Sequence, residues 1–302
     1  MFRCGKDNEF AYIGAIVQDD KRETVIQQLR QDSSILRIHF AGTGDDPLDL
    51  GDRSSGSACL VDGLSARRHP LKSLAFDCIC FAKYPGEANA VVSILQERRQ
   101  LDAVEFHDCQ FGGMDFSPFA NALKTQDGLK SFYMFNGEDG LDGCMLDVGD
   151  TEMLLKAIGG SPCLQHMSLL DCSIEGQALR QLCFVLRNHR GLESLQIRGK
   201  PGYFRNNNAE REMLVEAIRS NTTLRSIKVS GEMDECRAFL DVTSSRVSRR
   251  NKDIHNIEQT TLPVALWPRA AEKYMSRNET CVSTLAMCCL KKMRQTVAEQ
   301  CT

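Results

Sequence analysis

Bulky apolar residues recur along this chain in one short spacing, apolar-x-x-apolar-x-apolar. It appears at Ile35/Ile38/Phe40, Leu71/Leu74/Phe76, Leu101/Val104/Phe106, Leu129/Phe132/Met134, Leu164/Met167/Leu169, Leu192/Leu195/Ile197 and Leu224/Ile227/Val229. Successive blocks start 28 to 36 residues apart. Inside each block the fourth and sixth places are apolar and the third and fifth are mostly polar or small. That two-residue alternation predicts a short strand with one buried face. A fixed cadence of this length marks stacked structural repeats.

Between the blocks the pattern changes period. The stretches EANAVVSILQERR (87–99), SPFANALKT (117–125), TEMLLKAI (151–158), EGQALRQLCFVLRNH (175–189) and AEREMLVEAIRSN (209–221) place apolar residues on one helical face. Ser117 and Asp150 stand where helix N-caps are expected, and Asn188 and Asn221 stand near helix ends. Each unit therefore reads as strand, turn and helix. One such unit cannot enclose its own apolar face, whereas a stack of them builds a continuous core.

The longer motif is L-x-x-L-x-L-x-x-N/C-x-L. Its ninth side chain satisfies backbone groups where the chain leaves the strand. Leu101 to Phe111 fits it in full with Cys109, and Leu164 to Ile174 fits it with Cys172. Leu71 to Phe81 keeps the eleventh-place Phe81 but has Ile79 at the ninth place, with Cys78 one place early. In period, helix length and cysteine usage the chain resembles the ribonuclease-inhibitor-like class of leucine-rich-repeat proteins over about residues 20–235. The tail LPVALWP (262–268) resembles the C-terminal cap of a diatom-type algal repeat family. The resemblance implies an α/β solenoid, a horseshoe with parallel strands on its concave face and helices on its convex face, used for protein–protein contact.

Three regions follow: an N-terminal cap with a first helix over 1–34, ending in DKRETVIQQLRQ (20–31); a repeat array of about seven units over 35–235; and a helical C-terminal extension over 236–302. Segments 42–70, 137–150 and 199–208 are rich in Gly, Asp, Ser or Asn and read as surface insertions.

The net charge of −3 gives no warrant for nucleic acid or an anionic membrane as partner. No run approaches the roughly 20 apolar residues of a membrane span, and the start has no apolar signal core. The 14 cysteines are then expected as thiols in a reducing compartment, the cytoplasm or the nucleus. The sequons at Asn221 and Asn278 are expected to stay unglycosylated, and the chain is expected as a monomer.

Several short motifs invite chemistry. The acids of 137–150 lack calcium-loop spacing. His107-Asp108-Cys109 and Cys78-x-Cys80 lack the paired elements of a zinc site, and Cys109 already serves the repeat. Cys288-Cys289 fits a packed terminal helix better than lipidation, and Arg246, Arg249 and Arg250 read as a solvated linker. No nucleophile elbow, Walker loop or dinucleotide fingerprint is present. The expectation is a chain with no catalytic residue, metal or cofactor.

The places of each strand opposite the core face are the better site. Read along the array they give acids early (Asp77, Glu105), an apolar and aromatic centre (Tyr133, Phe135, Leu170) flanked by His107 and His166, and Gln196, Arg198 and Lys228 at the end. Exposed aromatics within a polar strip are what interface hot spots look like. Glu105, His107, Tyr133, Phe135, His166, Leu170, Gln196, Arg198 and Lys228 are therefore the candidate contacts for a protein partner. Coverage of Phe135 and Leu170 by the 137–150 insertion is the competing reading. Alternative roles are an enzyme regulator of the GTPase-activator repeat type, for which Arg37 and Arg198 are the arginines in position, and a substrate receptor of a ubiquitin ligase.

Overall fold

The computed structural model describes residues 2–4, 10–14, 27, 31, 35–42, 64, 71–135, 146–170, 172–198 and 207–230. All seven spaced blocks are strands. They are β3 (Arg37–Ala41), β4 (Ser73–Asp77), β5 (Ala103–His107), β6 (Ser131–Phe135), β7 (His166–Leu169), β8 (Ser194–Arg198) and β9 (Ser226–Ser230). Each begins at the third place of its block. Among the described residues five helices lie between them: α1 (Pro85–Glu97), α2 (Ser117–Lys124), α3 (Val148–Ile158), α4 (Gly176–Asn188) and α5 (Asn208–Ser220).

Two further strands, β1 (Phe2–Cys4) and β2 (Phe10–Gly14), lie within the region expected to hold a helical cap. They form an antiparallel pair, and β2 then pairs in parallel with β3. Gln27 and Gln31 are helical, and the rest of the expected helix over 20–31 is outside the described residues. FAYIG lacks the apolar lead-in of the seven blocks, with Asn8 standing at the first place.

The nine strands form one sheet whose spatial order is the chain order, with every pairing from β2 to β9 parallel. A parallel neighbour needs a crossover, and here each crossover from β4 to β9 includes one helix. Successive helices from α1 to α5 pack side by side. The result is an α/β leucine-rich-repeat-type arrangement in which each unit leans on its predecessor.

Register puts like places side by side. Sixth-place Phe40, Phe76 and Phe106 stack at centroid distances of 5.5 and 5.3 Å. Around them Phe81 and Phe111 each meet Phe106 and Phe119 edge to face, Phe116 stacks on Phe119, and the whole cluster is buried. The second places form a backbone ladder, Lys72 N donating to Leu36 O, Asp102 N to Lys72 O and Lys130 N to Asp102 O, each at 2.7 to 2.8 Å. Charges alternate along that row, so Asp102 pairs with Lys130 at 3.1 Å and Lys72 at 3.9 Å, and Arg225 with Glu193 at 3.4 Å. Exposed pairs add only about 0.2–1 kcal/mol each; their larger effect is to disfavour a slipped register.

The turn that follows each helix carries a device the repeat motif does not describe. Three residues before the first leucine of a unit stands a polar side chain: Gln126, Ser161, His189 and Asn221, all buried. Gln126 Nε2 donates to Leu95 O, and Ser161 Oγ donates to Gln126 O and Leu129 O. His189 bonds Ser161 O through Nε2 at 2.8 Å, while its Nδ1 accepts from Gly191 N and Leu192 N. Asn221 Nδ2 donates to Leu186 O at 2.7 Å and its Oδ1 accepts from Thr223 N and Leu224 N. His189 and Asn221 thus each tie their own turn and hold the preceding unit, while Gln126 and Ser161 hold the preceding unit. With its amide buried in that role, Asn221 cannot serve as a glycan acceptor.

Two cap assignments change. The α3 cap is Asp147, whose carboxylate accepts from Asp150 N at 2.8 Å, and the helix starts three residues before TEMLLKAI. Ser117 is the first residue of α2; Asp115 accepts its amide hydrogen bond at 2.9 Å. In both cases an aspartate two or three residues earlier outcompetes the expected residue because its carboxylate reaches the free amides. The C-terminal helices over 236–302, Cys288-Cys289, the arginines at 246–250 and most of the three insertions lie outside the described residues.

Candidate functional site

Register fixes which of the candidate residues are neighbours. Fifth places align as His39, Ala75, Glu105, Tyr133, Ser168, Gln196 and Lys228. Seventh places align Asp77, His107 and Phe135. At strand spacings of about 4.8 Å, Glu105 and Lys228 stand roughly 19 Å apart along one row.

The structure brings most of the strip together. Phe135 is exposed, and Glu105, His107, Tyr133, His166, Gln196 and Arg198 are half-buried; Lys228 is exposed at β9. The His107 and Phe135 rings lie 6.2 Å apart. This face differs from the opposite one, where the fourth and sixth places from β3 to β8 are at most 3 % exposed.

Leu170 is corrected. It was expected to face outward beside Phe135, but it is buried, as are Ser168 and Leu169 before it. β7 ends at Leu169, one place short of its neighbours, although Leu170 N still donates to Met134 O at 2.9 Å. Enclosure is also what a free leucine side chain favours. Ser168 is buried for another reason: a short side chain between Tyr133 and Gln196 in the same row is shaded by both.

The acid end is paired. His39 Nε2 lies 3.6 Å from Asp77 Oδ2, and His107 Nε2 lies 3.1 Å from Glu105 Oε2. The His39 imidazole beside it holds the Asp77 carboxyl below its ordinary 3.8, against the effect of burial and with help from Cys78 and His107. The bond to Glu105 lifts the His107 imidazole above 6.5. His39 and Asp77 were not among the candidate contacts, since the diagonal between fifth and seventh places of adjacent units does not show in a linear reading. Ala75 between them is the available signal: its methyl leaves the diagonal open.

Ninth-place Cys109 behaves as the motif requires. Its thiol donates to Phe76 O at 3.5 Å and His107 O at 3.3 Å, and burial pushes its pKa well above 9.0. Cys183, buried on α4, is pushed up to about 11. Both are inert thiols. Cys78 and Asp108, one place earlier, are different. Both adopt positive φ (53° and 50°), and both amides donate across the stack, to His107 O at 2.9 Å and Phe135 O at 2.8 Å. Gly42 occupies the same eighth place in the preceding unit, and a Cβ there would strike the Cys78 carbonyl.

Among the described residues no helix is long and apolar enough to cross a membrane. No protein-family description matches this chain and no curated protein does. Among solved structures, actin-binding site 2 of leiomodin-1 superimposes with a TM-score of 0.39 at 14 % identity, over 55 % of this chain and 89 % of that one. A tropomodulin C-terminal domain from Caenorhabditis elegans gives 0.30 at 12 %, over 78 % and 96 %. An N-acetylneuraminate lyase from Fusobacterium nucleatum gives 0.26 at 9 %, over 94 % and 97 %. Superpositions this loose carry no argument; the fold rests on the strand register and the repeat spacing.

Proposed function

We propose that this chain is a non-enzymatic interaction scaffold, an arc of repeats whose open sheet face grips a protein segment. The supporting observation is the contrast in one row of the sheet. Phe135 keeps 37 % of its surface in solvent on a face whose other places are polar or small. A large aromatic left exposed at the centre of a polar strip loses free energy unless something covers it. Tyr133 and His107 flank it, while Gln196, Arg198 and Lys228 offer donors farther along. The partner is a protein segment with an apolar anchor for Phe135 and acceptors or acids toward β8 and β9. Cys78, Cys80, Cys109, Cys163, Cys172 and Cys183 are free thiols, which supports action in a reducing compartment such as the cytoplasm or nucleus.

The test is affinity capture from native extract, wild type against a Tyr133→Ala/Phe135→Ala double variant, with melting curves for both. Loss of a partner at unchanged melting temperature is the expected result. A partner set identical in the two proteins would remove the open face from the function.

A further inference from the structure

A mixed-donor cluster lies where β4 and β5 run out of the sheet. One carboxylate oxygen of Asp77, Sγ of Cys78 and one carboxylate oxygen of Asp108 all lie within 4.8 Å of one another. Cys78 Sγ is 3.3 Å from Asp77 Oδ1, and His39 Nε2 is 3.6 Å from Asp77 Oδ2. We propose that these residues form a binding site for a zinc-class divalent cation, with Asp77, Cys78 and Asp108 as ligands and His39 placed to supply the fourth. The site is independent of the reading of the open face as a docking surface.

Three arguments carry it. The first is distance. Zinc bonds of about 2.0–2.3 Å in a tetrahedron put ligand atoms about 3.3–3.8 Å apart. The Cys78 Sγ–Asp77 Oδ1 and His39 Nε2–Asp77 Oδ2 separations, 3.3 and 3.6 Å, already fall there, and the others among Asp77, Cys78 and Asp108 need contraction of about an ångström or less. The second is donor chemistry. Thiolate, imidazole and carboxylates together suit zinc and its first-row neighbours, whereas calcium and magnesium take oxygen shells. The third is access and placement. Asp77, Cys78 and Asp108 are all partly open to solvent, unlike Cys109 and Cys183. The stack sets them together: eighth-place residues of consecutive units share one backbone ladder, and Gly42 in that ladder adds no side chain beside Cys78.

The linear motif hides this site because its ligands come from three units. Cys78 offers one sulfur, Asp77 precedes it, Asp108 is 30 residues on and His39 is 39 residues back. No paired C-x-x-C is needed when stacking supplies the pairing. On binding, Cys78 gives up its proton to solvent and coordinates as thiolate.

The experiment uses the full chain, reduced and metal-free, titrated with cobalt(II) as a spectroscopic stand-in and then with zinc. Wild type is expected to take up cobalt with a thiolate-to-metal charge-transfer band and the visible bands of a four-coordinate ion, to lose both when zinc is added, and to melt higher with zinc. Cys78→Ser and Asp108→Asn are each expected to weaken cobalt at least tenfold, with Cys78→Ser also losing the charge-transfer band. Cys163→Ser, which removes an exposed cysteine on another turn, should leave wild-type behaviour. Asparagine accepts positive φ readily, so Asp108→Asn keeps its backbone and tests the ligand even if Cys78→Ser folds poorly. Wild-type spectra and affinity in Asp108→Asn, or no charge-transfer band in wild type, would overturn the proposal.

Discussion

The two faces of this sheet are built from the same strands and obey opposite rules. On the covered face, fourth and sixth places are Ile, Leu, Val, Phe or Met in every unit, and packing alone decides them. On the open face the third, fifth and seventh places include Arg, His, Ser, Ala, Asp, Glu, Tyr, Phe, Gln and Lys. A row on the covered side stacks phenylalanine on phenylalanine. A row on the open side runs from a histidine–acid network through aromatics to cations. The covered face repeats because every unit faces the same neighbour; the open face, most of whose places are half-buried or exposed, is less constrained by packing. Variation is therefore where a particular role is written, and repetition is where the fold is.

The sharpest way to break that comparison is on the covered face. Phe106 lies at its centre, touching Phe76, Phe81, Phe111, Phe119 and Phe132. Phe106→Ala should cost about 3–5 kcal/mol, read as a fall in the denaturation midpoint. A cost under about 1 kcal/mol would mean that the aromatic cluster is not the keystone of the stack.

The buried polar row should come next. Asn221→Ala leaves Leu186 O and the amides of Thr223 and Leu224 without their partner, each costing about 1–3 kcal/mol if left unmet. Asn221→Asp separates the two functions of the side chain. It retains the acceptor for the turn and loses the donor to the preceding unit, so it should cost less than alanine and more than nothing. Hydrogen exchange should then report faster opening of the last repeat alone. An Asn221→Asp protein as stable as wild type would show that the tie between units contributes nothing.

This row also marks what a linear reading can see. Seven of the nine strands and the five helices among the described residues were legible, since each announces itself by a period within one unit, whereas β1 and β2 were not. The tie residues were not, because Gln126, Ser161, His189 and Asn221 share neither size nor chemistry. What they share is position, three before the first leucine, and burial, which only stacking reveals. The same limit applies on the open face. Glu105, His107, Tyr133 and Phe135 were legible as a patch because strand alternation sets their side. The His39–Asp77 diagonal and the Asp77, Cys78, Asp108 cluster were not, because they join different places of different units. Leu170 failed locally, where its strand ends one place early.

On the open face the expected effects are small for stability and large for binding. Tyr133→Ala/Phe135→Ala removes half-exposed and exposed surface, so it should cost about 1 kcal/mol or less. Its effect on partner retention should be severalfold larger than its effect on the midpoint. A midpoint collapse comparable with that of Phe106→Ala would assign Tyr133 and Phe135 to the core and erase the distinction between the faces.

The finest test concerns the network at the acid end. Folded His107 binds its proton more tightly than the unfolded chain does. Its contribution is therefore complete below the ordinary 6.5 and disappears as pH rises through the raised folded value. Asp77 has the reverse sign: held below 3.8, it contributes above that value and its contribution is lost as pH falls through the folded one. The two contributions coexist at mildly acidic pH, between about 4 and 6.5. With each group about one-third exposed, the sum should stay under about 1 kcal/mol. An NMR titration of the imidazoles reads it directly. Glu105→Gln should bring His107 back toward 6.5, because its hydrogen-bond partner loses its charge. If His107 titrates identically in that variant, the pair does not shape the open face, and the acid end is a row of independent solvated groups rather than a network.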